Sequence, residues 1–189
     1  RVMGLADPRS YGSGNPGATN VLRTGNKTAA ILTLVLDALK GFVPVVLALL
    51  LAPRLGFGEG TVAWVALAAF VGHLWPVFFR FKGGKGVATA AGVLFALEPL
   101  LGLYTLCVWM GTVLGTRISS AGALAAGVAA PLFGWWLVPY QPIRYAVLIV
   151  ALLLIARHHQ NIVGLIKGTE WRVGSKDPEL EKDSDAAKE

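Results

Sequence analysis

The sequence predicts an all-α polytopic membrane protein with six transmembrane helices, on three observations. Apolar residues make up 54% of the 189-residue chain and charged residues only 15%, against about 25% charged in a typical soluble domain. The apolar residues fall in long runs separated by short polar, Gly-rich stretches. The basic residues gather on one side of those runs, which accounts for a net charge of +6 on so apolar a chain. A mean hydropathy of +0.60 argues against a disordered chain and against a water-soluble enzyme. With Cys107 as its one cysteine, the chain can form no internal disulfide.

The first run, Ala29–Ala52, is about 36 Å long as a helix, enough to cross a bilayer. Pro53 and Gly56 end it. The second is Val62–Phe79, ending near Pro76. The third, Val87–Thr116, is too long for one upright span, and Glu98-Pro99 places a charge and a helix breaker in its middle. It therefore divides into two short spans, Val87–Leu97 and Pro99–Thr116, the first of them cradled by neighbours. Ile118–Val138 is rich in Ala and Gly, which suits close helix packing. Ile143–Ala156 is short, and Arg144 and Arg157 can snorkel from its ends.

Six spans place fourteen of the seventeen Lys and Arg residues on one side, with Lys40 inside the first span and Arg54 and Arg144 opposite. Reading Val87–Thr116 as a single span spoils that asymmetry, so the count of six puts the basic, Gly-rich loops in the cytoplasm. Residues 1–173 form one membrane-embedded domain. Residues 174–189 carry six acids and almost no bulky apolar side chain, the composition of a charged disordered tail. The chain begins with Arg1, and residues 1–28 hold no apolar stretch such as a signal peptide needs, so the sequence reads as truncated or processed.

Three polar segments share the basic side. In the first, Gly12, Gly14 and Gly17 let backbone N–H groups converge into an anion-binding nest, flanked by Ser13, Asn15, Thr19, Asn20 and the planar guanidinium of Arg23. These glycines also spell GxGxxG, but no strand precedes them, which excludes a dinucleotide fold. In the second, Gly83-Gly84-Lys85-Gly86 precedes a helix start and makes a cationic loop at a helix N-terminus. Lys82 reads more simply as a topology marker, and His73 as a packed, hydrogen-bonded residue. In the third, His158 and Asn161 stand at i, i+3 on one face of a continuing helix, and residues 162–168 form an amphipathic interfacial helix. Asp37 and Lys40, also at i, i+3, either form a buried pair that fixes helix packing or place Lys40 on the polar pocket; the two readings weigh evenly. The inventory is a site for one or two phosphates at an interface that also admits an acyl chain. It lacks the acidic pair and the triad order that metal-driven phosphoryl transfer or serine hydrolysis need, so no metal, cofactor or nucleic acid is expected.

The stretches GSGNPGATNVLR, GHLWPVFFRFKGGKGVAT and RHHQNIVGLIKGTE resemble, in order, the three motifs of the bacterial acyl-phosphate:glycerol-3-phosphate acyltransferase family, from about Asp7 to Glu170. The resemblance implies transfer of a fatty acyl group from acyl phosphate to the 1-position of sn-glycerol 3-phosphate, giving lysophosphatidic acid and phosphate, the first step of bacterial phospholipid synthesis. It implies seven helices in the bacterial inner membrane, one of them before the first motif and so absent here. It also implies a functional link to an enzyme that makes acyl phosphate. By the same resemblance, Ser13, Arg23, Lys85, His158 and Asn161 are catalytic, and Gly12, Gly14, Asn15, Gly17, Thr19, Asn20, His73, Lys82, Gly83, Gly84 and Gly86 belong to the substrate- and phosphate-binding segments, to which the reading of the first span adds Lys40. Asp37 and Glu170 are structural. The alternative is a membrane transporter or binding protein for phosphate esters, which an inverted repeat would mark; no internal repeat is visible.

Overall fold

In the computed structural model, which describes residues 5–175, eight α-helices follow one another. They are α1 (Ala18–Leu22), α2 (Lys27–Leu51), α3 (Glu59–Leu74), α4 (Val87–Leu97), α5 (Pro99–Thr116), α6 (Ser119–Leu137), α7 (Gln141–Arg157) and α8 (His159–Lys167). The described residues contain no strand. Most of the acidic tail expected over residues 174–189 lies outside the described residues.

Helices α2–α7 take up the six expected runs in order. By length and composition, α2, α3 extended to Phe79, α5 and α6 can each cross a membrane, and α7 with α8 makes a fifth candidate bent by 55°. The eleven residues of α4 are too few to cross alone. The break between α4 and α5 falls at Glu98, whose extended backbone ends one helix and whose carboxylate accepts from Leu100 N–H at 3.2 Å to start the next. Pro99 then takes the first helical position, where its missing N–H costs nothing.

The burial pattern is inverted relative to a water-soluble bundle. On α2 the outward residues Ile31, Leu36 and Leu50 are apolar and well over half exposed. Inward, Val45 is fully buried against Val62, Ala66 and Val93. Apolar side chains on both faces suit a helix that meets lipid outside and protein inside.

The short α4 sits at the centre, with Thr89, Ala90, Gly92, Val93, Leu94 and Ala96 buried. It lies hard against α2: a Cβ built on Gly92 would stand 2.0 Å from the Ala38 carbonyl oxygen. Thr89 donates its hydroxyl to the Asp37 carbonyl at 2.9 Å, tying the same two helices. This contact sets where the N-terminus of α4, and the loop before it, are held.

Gly92→Ala therefore forces α2 and α4 apart and is expected to destabilise the protein by about 1–3 kcal/mol. Gly111→Ala on α5, where an added Cβ meets nothing within 4 Å, should not lower the unfolding midpoint, since Ala favours a helix interior over Gly. Thermal unfolding in detergent compares the two.

Candidate active site

A cavity of about 280 Å³ opens among α1, the N-termini of α4 and α6, and the segment around α8. The first polar segment reaches it through Ser13, Asn15, Gly17, Thr19, Asn20 and Arg23. The loop holding this segment is organised by Asn20, which is almost fully buried. Its amide donates to the carbonyls of Pro8 (2.7 Å) and Tyr11 (3.1 Å) and accepts from Ser13 N–H at 2.9 Å. Gly12 is held at φ +54°, and a Cβ there would meet the Asn20 side-chain oxygen at 2.5 Å. The nest expected of this loop is therefore partly closed. Ser13 N–H is committed to Asn20, and Gly14 N–H donates to the Tyr11 carbonyl at 3.0 Å. Asn20 itself acts as the loop's internal clamp. Arg23 stacks over Trp171 at 4.9 Å.

The second segment brings Lys85, Gly86 and the first turn of α4 to the cavity. Gly86 caps α4 at φ +84°, a conformation that any side chain resists, and a Cβ there would strike Phe70 at 2.5 Å. Arg157, expected to snorkel, instead donates to the carbonyls of Gly83 (3.3 Å) and Gly84 (3.2 Å), pinning the loop to the end of α7. Lys85 donates to the Asn161 side-chain oxygen at 2.7 Å. Burial holds the Lys85 ammonium below its ordinary pKa; Glu170 opposes that shift, while Arg23 and Arg157 reinforce it.

The third segment differs from the continuing helix expected of it. The chain turns at His158 between α7 and α8. The buried His158 ring takes part in this turn, its Nδ1 hydrogen-bonded to the Leu154 carbonyl at 2.8 Å. A carbonyl partner requires the proton on Nδ1, which leaves Nε2 as the acceptor of a neutral ring. His158 and Asn161 both still line the cavity. Asn161 donates to both oxygens of Glu170 (3.2 and 3.0 Å), and the Ser120 hydroxyl donates to the same carboxylate. The segment after α8 is carried back to this position by Val173 N–H, which donates to the Arg117 carbonyl at 2.7 Å.

Asp37 and His73 line the cavity, 3.8 Å apart. Lys40 does not: its ammonium pairs with Asp37 at 2.7 Å, but its side chain stays largely exposed where the pairing alternative expected both partners buried. Gly12, Gly14, Lys82, Gly83 and Gly84 also lie off the wall and act on it only through the loops they build. Four wall residues with hydrogen-bonding side chains escape the sequence reading: Ser119, Ser120, Trp109 and Trp171. Ser119 shares a 3.1 Å hydrogen bond with Thr19, joining α6 to α1. Two adjacent serines at the start of a span on the basic side were a usable signal; two tryptophans in apolar surroundings were not.

A sequence model of the family described as glycerol-3-phosphate acyltransferase matches residues 1–168. The chain belongs to that family. The acyltransferase is 55% identical to a glycerol-3-phosphate acyltransferase of Paraburkholderia phytofirmans over 98% of this chain and 85% of that one. It is 56% identical to one of Thiobacillus denitrificans over 93% of this chain and 88% of that one. Among solved structures it is similar to PlsY (YgiH), an integral membrane glycerol 3-phosphate acyltransferase, in the glycerol 3-phosphate form. That match has a TM-score of 0.84 and 40% identity, covering 92% of this chain and 84% of that one. The lysophosphatidic acid form of PlsY matches with a TM-score of 0.79 and 40% identity, over 86% and 81% of the two chains. The enzyme is thus a multi-pass membrane acyltransferase, and its cavity is where that chemistry is to be sought.

Asn20→Asp in this acyltransferase removes the two donated hydrogen bonds, taking that donor from the Pro8 carbonyl and leaving the Tyr11 carbonyl with Gly14 N–H alone. It is expected to lower stability by about 1–3 kcal/mol per lost partner, additivity aside. Ser13→Ala, which removes a hydroxyl on the cavity side of the same loop, should stay within about 0.5 kcal/mol of the parent. Thermal unfolding distinguishes the clamp from the wall.

Proposed function

We propose that the enzyme transfers a fatty acyl group from acyl phosphate to the 1-hydroxyl of sn-glycerol 3-phosphate, releasing lysophosphatidic acid and phosphate. The observation that carries this reading is that two unlike cavities share part of their wall. The larger one bears Arg23 and Lys85 and borders the N-termini of α4 and α6, neither of which has a side-chain cap. The other, about 50 Å³ and almost wholly apolar, runs between α4, α5, α6 and α7. Val87, Ala91, Leu106, Trp109 and Ala123 line both. A molecule with an anionic head and a hydrocarbon tail suits such a pair, and the forms in which PlsY was solved agree with an acceptor and a product of that chemistry.

An acyl phosphate is a mixed anhydride and is already activated. The acceptor hydroxyl oxygen bonds to the acyl carbon, the bond from that carbon to the phosphate oxygen breaks, and phosphate leaves with the electron pair. The protein need only align the two substrates and stabilise the phosphate charge, tasks suited to Arg23, Lys85 and the two helix N-termini. Ser13 and Asn161 hydrogen-bond the acceptor. The departing phosphate takes the hydroxyl proton; the competing assignment gives that proton to His158 Nε2. In this reading the six runs are spans, and the basic loops and the cavity face the cytoplasm of a bacterial inner membrane.

Phosphate release from acyl phosphate, followed with and without glycerol 3-phosphate, tests the reaction: release should depend on the acceptor, and acceptor-independent or absent release would favour a transporter or binding protein. His158→Gln should keep measurable turnover if the substrate accepts its own proton; near-total loss with both substrates still bound would give the base to His158. Lys85 supplies its charge fully below its lowered pKa and loses it as pH rises through that value. The KM for glycerol 3-phosphate should therefore climb at a lower alkaline pH than an exposed lysine would give. Lys85→Arg, which cannot lose its charge in that range, should abolish the climb.

A further inference from the structure

The indole Nε1 of Trp109 is buried and makes no hydrogen bond to any described residue. Such an orphaned donor is costly in an apolar setting and calls for a partner. Its position is specific. Trp109 is one of the five residues that line both cavities, so its side chain stands at the change from the larger chamber to the apolar one. The ring is seated there by α6, where a Cβ on Gly122 would stand 3.0 Å from Trp109 Cδ1, the ring carbon next to Nε1. The only polar group that an acyl phosphate carries between its phosphate and its tail is the acyl carbonyl.

We propose that Trp109 is a catalytic residue whose indole N–H donates a hydrogen bond to the carbonyl oxygen of the acyl donor and stabilises the negative charge that oxygen gains. This rests on the acyl-phosphate reading above. When the acceptor oxygen adds to the acyl carbon, the carbonyl π pair moves onto the oxygen. It returns as the carbon–oxygen bond to phosphate breaks, and the leaving phosphate carries off its electron pair with the acceptor's proton. The indole N–H keeps its own proton throughout. A donor already fixed at that oxygen costs no reorganisation during the reaction. Arg23 and Lys85 serve the phosphates; neither cation is among the residues of the apolar cavity, where the tail begins.

Trp109→Phe keeps an aromatic ring and removes the N–H. Its kcat should fall roughly 100-fold or more, in the range found for loss of one oxyanion donor, while the KM for glycerol 3-phosphate and the thermal unfolding midpoint stay near those of the parent. A parental kcat would overturn the proposal. A fall in kcat accompanied by an equal loss of acceptor affinity or of thermal stability would assign Trp109 a packing role and overturn it equally. The parent protein assayed alongside separates the two readings, since a parent that does not consume acyl phosphate fails the broader one. Should the variant not fold, the parent labelled at its indole nitrogens can be titrated with an acyl phosphonate, which keeps the carbonyl but cannot transfer it. A downfield shift of one indole proton, unchanged in Trp171→Phe, supports the assignment; no indole shift at saturation contradicts it.

Discussion

The site depends on one chain of hydrogen bonds that joins four separate pieces of the sequence. Lys85 donates to Asn161, Asn161 donates to Glu170, and Ser120 donates to the same carboxylate. The loop before α4, the start of α8, the segment after α8 and the first turn of α6 are thereby fixed to each other. A lysine buried in such a setting would otherwise resist carrying charge. Glu170 supplies the opposing charge at one remove, through Asn161, so the ammonium is steadied without being masked by a direct ion pair. That arrangement leaves Lys85 able to meet a second anion.

The bundle delivers these pieces to one place through the short α4. Its close contact with α2 and its central burial fix the helix, and Gly86 and Arg157 fix the loop that leads into it. The N-termini of α4 and α6 then border one cavity. Their partial positive charge adds to Arg23 and Lys85 without the desolvation that further buried cations would require. The apolar cavity among α4, α5, α6 and α7 shares part of its wall with this one. The same packing thus sets a wall bearing Arg23 and Lys85 beside an apolar cavity.

Much of this was legible in the sequence because hydropathy and helix breakers act locally. The runs, and the division at Glu98-Pro99, correspond to helices within a few residues. The glycine-rich motifs marked the loops, and Lys85, Arg23, His158 and Asn161 stand on the cavity wall. What could not be read is where partners separated by tens of residues would meet. Asn20 looked like a ligand group, yet its hydrogen bonds close its own loop. Arg157 looked like an interfacial charge, yet it holds two loop carbonyls from more than seventy residues away. The turn at His158 escaped the periodicity because no Pro or Gly marks it; a side-chain hydrogen bond to Leu154 accompanies it instead. Trp109 is apolar by composition and acquires a polar meaning only once its N–H is seen to be unpaired on a side chain that lines both cavities.

The central claim is that Glu170 acts on anion binding through Lys85, although nearest-atom hydrogen bonds link it to Asn161 and Ser120 rather than to the lysine itself. A double-mutant cycle on Lys85→Gln and Glu170→Gln, read as glycerol 3-phosphate affinity by calorimetry, tests it without needing turnover. The account predicts strong non-additivity: Glu170→Gln should weaken binding in the parent by tenfold or more and have little further effect once Lys85 is gone, a coupling above the roughly 0.5 kcal/mol expected of independent sites. Additive losses within that margin would show the two side chains acting separately and would contradict the account.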